Sequence, residues 1–176
     1  MSAKREQIMN LASLNSMPSE DAKAEFLKCC GSQNWAQQMA TTRLYNSLDE
    51  LMTTADRIWW ALDSKDWLDA FHSHPKIGEK KAAAATAVEA QQWSEAEQSG
   101  ISNAAHETLG ALADLNQKYE EKFGYIFIVC ASGKSSEEML AILRERLENN
   151  PDDELRIAAA EQAKITELRL RKLLDT

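Results

Sequence analysis

One run, Tyr125-Ile126-Phe127-Ile128-Val129-Cys130-Ala131, is the only stretch of this 176-residue chain with strong strand character, and it limits the fold more than any other feature. With no second run of that kind to pair with, it cannot form a sheet. It is therefore expected as an extended, buried segment in a helical protein, whose backbone N–H and C=O groups must find partners outside a ladder. Composition agrees, since a chain rich in Ala, Leu, Glu, Lys and Gln with only 6 Gly and 3 Pro has helix formers in excess and few turn residues. The expected class is all-α: residues 1–176 as a single-domain bundle of about eight helices, with one short extended segment and no sheet.

Helix signals fill most of the remaining chain. Ile8, Leu11, Ala12 and Leu14 give residues 4–14 an amphipathic spacing. Ser19 is the expected N-cap of a second helix, with Glu20 and Asp21 in its first turn and Gly31 as a left-handed terminator. Trp35 and Met39 at i, i+4 mark a third. Ser47 with Glu50, Ser94 with Glu97, and Ser135 with Glu138 have the S-x-x-E spacing of capping boxes, and Asn150-Pro151 opens the last helix in the favoured N-cap and N1 order. A long helix over residues 101–123 should end at Gly124. Ile58-Trp59-Trp60, Trp67 and Phe71 form the densest aromatic cluster, expected as core packing beneath the turn that follows. Residues 79–92 form a polar, alanine-rich link with little large apolar surface to bury.

That turn is Phe71-His72-Ser73-His74-Pro75-Lys76-Ile77-Gly78. Proline keeps the preceding residue out of the helical region, so His74 belongs at a helix exit. An imidazole held there titrates near neutrality and is a candidate acid or base, although a polar turn residue would look the same from position alone.

The net charge of −8 argues against a nucleic-acid partner, because phosphate neutralisation needs a basic face. An anionic small molecule would need a local cation instead. Three cysteines make no disulfide framework, and the adjacent Cys29 and Cys30 are expected as packed thiols. With no signal peptide, no long apolar run and no Ser-Lys-Leu type tail, the expected setting is cytoplasmic, away from membranes.

Several elements in order carry a resemblance: Cys29-Cys30-Gly31-Ser32, Ile58-Trp59-Trp60, His74-Pro75-Lys76-Ile77-Gly78, Ser94-Glu95-Ala96-Glu97-Gln98, Phe127-Ile128-Val129-Cys130-Ala131-Ser132-Gly133-Lys134, and Glu161-Gln162-Ala163-Lys164-Ile165-Thr166-Glu167-Leu168-Arg169-Leu170. Over nearly its whole length the chain resembles the 2-oxo-4-hydroxy-4-carboxy-5-ureidoimidazoline (OHCU) decarboxylases of the urate-to-allantoin pathway. The resemblance implies an all-α, cofactor-free homodimer whose partner is a small-molecule ureidoimidazoline carboxylate and whose product is (S)-allantoin. Carried over by residue, it makes His74 and Glu97 catalytic. Pro75, Ser94, Glu95, Ala96, Gln98 and Arg169 would bind substrate, together with the backbone of Phe127, Ile128, Val129, Cys130 and Ala131. No metal is implied. Of Arg169 and Arg171, two apart and so on different helix faces, the resemblance assigns the site to Arg169.

The residue types suit that chemistry. A carboxylate and a hydroxyl share one ring carbon beside a C=N carbon, so the ring itself can take the electron pair released with carbon dioxide. The protein then has to supply orientation and proton transfer. Two other readings compete: a non-catalytic helical interaction protein using the aromatic cluster and acidic surface, and a metal hydrolase built on His72, His74 and Glu97, with a cysteine as a further candidate ligand. For the second, a His-x-His pair without H-E-x-x-H or C-x-x-C spacing is poor ground.

Overall fold

The computed structural model describes residues 9–75 and 106–174. Among the described residues there are eight α-helices and no strand: α1 (Leu11–Ser16), α2 (Ser19–Cys29), α3 (Gln33–Thr42), α4 (Leu48–Ala61), α5 (Ser64–His72), α6 (His106–Phe123), α7 (Ser136–Arg146) and α8 (Pro151–Leu173). The all-α expectation holds, and the helix starts show why the sequence was readable. Ser135 and Glu138 close a full capping box on α7, and the Asn150 side chain accepts from the Asp153 N–H at the head of α8, with Pro151 in the first turn. Gly124, at φ 83°, takes the left-handed conformation that ends α6. The expected Ser94 and Glu97 box, the link over 79–92 and the start of the helix over 101–123 lie outside the described residues.

Three local expectations are corrected. Ser19 is the first helical residue of α2 and Pro18 its N-cap, without a side-chain hydrogen bond. At α4, Ser47 accepts from the Glu50 N–H, but the Glu50 carboxylate takes the Asn46 N–H at 2.7 Å, so the box closes one residue early. Gly31 is not left-handed, and α2 ends through an extended Cys30. Its glycine is needed for a tertiary reason: a Cβ there would collide with Cβ and Oγ of Ser73, at the end of α5. The Gln33 N–H donates to Asp69 at 3.0 Å and stitches the same connection to α5.

Helix α8 is the axis of the packing and touches α2, α4 and α5. Its buried positions, Ala158, Ala159, Ile165, Leu170 and Leu173, recur at helical spacing, and polar Glu154, Gln162, Thr166 and Arg169 are buried with them. Aromatic N–H groups tie helices by their backbones: Trp35 Nε1 donates to the Ala55 carbonyl and Trp59 Nε1 to that of Ala159. The expected single aromatic cluster is split. Trp59, Trp60 and Trp67 pack together, with Trp60 43% exposed, whereas Phe71 joins a second group with Tyr125, Tyr119, Phe123 and Phe127.

The segment between α6 and α7 is extended and buried, and among the described residues three side chains partner its backbone, beside a turn bond from the Lys134 N–H to the Ala131 carbonyl at 3.1 Å. Arg146 donates through Nη1 to the Ile128 carbonyl at 2.6 Å, the Glu161 carboxylate accepts the Cys130 N–H at 2.7 Å, and Lys134 reaches the Cys130 carbonyl at 2.9 Å. Arg146 is itself buried and held by Glu154 at 2.6 Å, which also accepts from Asn149 and from the Tyr119 hydroxyl. The guanidinium lies 4.7 Å from the centroid of the Phe127 ring. Charged side chains on α7 and α8 thus do the work that a neighbouring strand would do.

Candidate active site

Helix α5 ends at His72, and the next turn presents His74 just past the helix, with its N–H on the Phe71 carbonyl at 3.2 Å. The ring is half-buried, and its Nε2 lies 2.5 Å from Oε1 of Gln162 on α8. Gln162, fully buried, uses its amide nitrogen on Thr166 Oγ1 at 3.1 Å. Burial and the positive charge of Arg169 push the His74 pKa from its ordinary value of 6.5 down to about 3, against the Gln162 hydrogen bond that pulls it up. His74 is therefore a neutral imidazole at neutral pH, able to accept a proton.

On a helix turning about 100° per residue, positions 162, 166 and 169 fall within about 60° of one another, so α8 turns one polar face toward His74. Arg169 is 3% exposed, and its charge is felt at His74 in the turn after α5 and at Cys29 and Cys30 at the end of α2. Arg171 points the other way and pairs with Glu167 at 2.9 Å on the surface. Burial raises the Cys30 thiol to about 11, opposed by hydrogen bonds from the Ser32 backbone and the Thr166 side chain, and it pushes Cys29 well above the usual thiol range. Both are poor nucleophiles, packed as expected.

The extended run reaches the same turn of α8. Glu161, which holds the Cys130 N–H, precedes Gln162, which holds His74. Burial raises the Glu161 pKa, but hydrogen bonds from Lys164 and the Cys130 N–H outweigh it and hold the carboxylate below its usual value. Among the residues named from sequence, the fold thus brings Arg169 within electrostatic reach of His74, with Pro75 next in chain. Phe127, Ile128, Val129, Cys130 and Ala131, all buried, are anchored one residue along α8. Ser94, Glu95, Ala96, Glu97 and Gln98 lie outside the described residues.

Gln162, Thr166 and Glu161 were not singled out from sequence, although their helical spacing from Arg169 was the available signal. A groove of about 310 Å³ between α4 and α8, lined by Met52, Asp56, Trp59, Ala163 and Leu170, meets this face at Thr166 and contains no sequence-named site residue. Among the described residues, no group of three or more His, Cys, Asp and Glu comes together to hold a metal ion, and His72 is exposed on α5. No described helix is long and apolar enough to cross a membrane.

Comparison with known proteins adds chemistry to this geometry. The family model described as OHCU decarboxylase matches residues 15–171. The uric acid degradation bifunctional protein TTL of Arabidopsis thaliana is 41% identical over 160 residues, which cover 90% of this chain and 49% of that protein. The 2-oxo-4-hydroxy-4-carboxy-5-ureidoimidazoline decarboxylase of Haloferax volcanii is 30% identical over 77% of each chain. A crystal structure of OHCU decarboxylase in the presence of (S)-allantoin superposes with a TM-score of 0.74 at 42% identity, covering 87% of this chain and 99% of that one. The chain spans about half the length of the Arabidopsis bifunctional protein.

Proposed function

This chain belongs to the OHCU decarboxylase family, and from that premise we propose that it converts 2-oxo-4-hydroxy-4-carboxy-5-ureidoimidazoline to (S)-allantoin and carbon dioxide in uric acid degradation, without a cofactor. The observation that carries the reading is the His74 imidazole held at a helix exit on Gln162 Oε1, within the field of the buried cation Arg169. Arg169 orients the anionic substrate with its rigid fork of donors. The carboxylate leaves as carbon dioxide, and its electron pair forms a double bond to the neighbouring carbon and displaces the C=N pair onto nitrogen, which takes up a proton. His74 accepts the proton of the ring hydroxyl as that oxygen becomes a carbonyl, and the neighbouring carbon is protonated on one face.

Glu97 as the second proton-transfer group, and Ser94, Glu95, Ala96 and Gln98 as substrate contacts, rest on the family resemblance. Pro75 and the backbone of residues 127–131 complete the pocket wall in this reading. A cytoplasmic homodimer formed by one domain accompanies it. The metal-hydrolase and interaction-protein readings find no support in the family match.

The test is an assay of freshly generated substrate, following carbon dioxide release and the handedness of the allantoin formed. The wild-type protein should yield the S enantiomer faster than the spontaneous reaction. His74→Asn should lower turnover by about a hundredfold or more with the fold intact. Racemic product at the spontaneous rate from wild-type protein would refute the reading.

A further inference from the structure

If His74 is the base, one of its two nitrogens must do the work, and the structure bears on which. A neutral imidazole carries one proton, so one nitrogen donates and the other accepts. Nδ1 has no hydrogen bond among the described residues, whereas Nε2 faces the Gln162 carboxamide. That carboxamide has two possible orientations, and the next residue along selects between them. The Gln162 amide nitrogen donates to Thr166 Oγ1 at 3.1 Å. With its nitrogen committed to Thr166, the carboxamide presents its oxygen to His74. An oxygen at 2.5 Å from Nε2 requires the proton on Nε2.

We propose that Gln162 is a positioning residue for the reaction: oriented by Thr166, its carboxamide oxygen holds His74 as the Nε2–H tautomer and leaves Nδ1 as the nitrogen that accepts the substrate proton. The proposal rests on the function given above and adds to it the polarity of the chain Thr166, Gln162, His74. These groups come from α8 and from the turn after α5, so the packing of α5 against α8 sets the tautomer. Gln162 does not touch the reacting atoms. Its effect passes through the orientation and proton inventory of His74, as a hydrogen-bond partner of a ring nitrogen does generally.

Long-range proton–nitrogen NMR of the imidazoles tests it on the wild-type protein without any assay, with His74→Asn identifying the resonance. The expected result at neutral pH is a protonated Nε2 and a bare Nδ1; a proton on Nδ1 overturns the proposal even in an active enzyme. Allantoin formation that fails while the Nε2–H tautomer is present overturns the function and leaves the tautomer assignment standing. Two substitutions of Thr166 separate orientation from packing. Thr166→Val fills the same space without a hydroxyl, and Thr166→Ser keeps the hydroxyl with less volume. Orientation predicts that the serine variant keeps the tautomer and near-wild-type kcat. It also predicts that the valine variant shows mixed tautomers, with kcat lowered about tenfold and KM changed little. Valine working as well as threonine, with serine impaired, would mean that Thr166 only packs, and would sink the proposal.

Discussion

Two buried polar networks sit on α8 about two turns apart, and they are built on opposite principles. Toward the N-terminal end, Arg146, Glu154 and Tyr119 are charged or strongly polar and closed: Glu154 accepts from Arg146, Tyr119 and Asn149, and the remaining Arg146 donors reach Ile128 and Tyr119. Toward the C-terminal end, His74, Gln162 and Thr166 form a chain of neutral groups that leaves the His74 Nδ1 without a hydrogen bond among the described residues. A closed ionic network fixes shape, because every donor is committed and any displacement strands a charge. An open neutral chain fixes orientation while keeping one lone pair for chemistry. The first network shapes the extended run, the second aims the candidate base, and the neighbours Glu161 and Gln162 bring the two results to one place.

The contrast breaks most sharply at Glu154. Glu154→Ala leaves Arg146 buried without its counter-charge and should cost about 3–5 kcal/mol in urea unfolding. The double variant Arg146→Met with Glu154→Leu strands no charge and should cost less than the single change, although the Ile128 carbonyl loses its donor. A single change milder than the double would mean that the ion pair is not the organising contact.

Next in size is the arginine pair. Arg169→Lys replaces a buried planar fork by a point charge and should lower turnover by about a hundredfold, which is about 2.7 kcal/mol of transition-state stabilisation. Arg171→Lys alters a surface pair with Glu167 and should be nearly silent in the same assay. The opposite ranking would reverse the assignment of helix faces.

A smaller cost falls at the junction that supports the His74 turn. Gly31→Ala must push the Cys30–Ser32 connection away from Ser73, and forced overpacking of this kind costs about 1–3 kcal/mol. Ser73→Gly in the same chain should restore part of the loss, since it removes the colliding atoms. Stability unchanged in Gly31→Ala would show that the two turns separate freely.

How far these features were legible in the sequence follows from how local their causes are. The capping box of Ser135 with Glu138, the Asn150-Pro151 start and the Gly124 stop depend on residues within one turn, and all three were readable. Gly31 was visible as a special position but assigned the wrong reason, because its constraint is Ser73, distant in sequence. That the extended run would need partners was deducible. That they would be Arg146 and Glu161 was not, since neither residue carries a signal until α7 and α8 have packed around it. Gln162 and Thr166 lay within view on the face of Arg169, masked by their ordinary polarity. The placement of Glu97 and its neighbours belongs to residues outside the described ones.

The smallest expected effect is a pH slope, and it tests whether the second network really is neutral. Unfolded, His74 has its ordinary pKa of 6.5, whereas the folded value is about 3. As pH falls through 6.5 the unfolded chain takes up the proton first, so stability that is complete above 6.5 is progressively lost down to about 3. The loss approaches about 1.4 kcal/mol per pH unit once the unfolded imidazole is mostly protonated. Glu161 adds to it only in more acid solution, since its lowered pKa makes its contribution present above the ordinary carboxylate value and lost below it. Unfolding free energies of wild type and His74→Asn between about pH 7 and pH 5 isolate the His74 part, because His72 and His106 are common to both chains. The wild type should lose about 1–2 kcal/mol more than the variant over that interval. Parallel curves would show that His74 titrates normally in the folded protein, and the distinction between a charged, closed network and a neutral, open one would collapse.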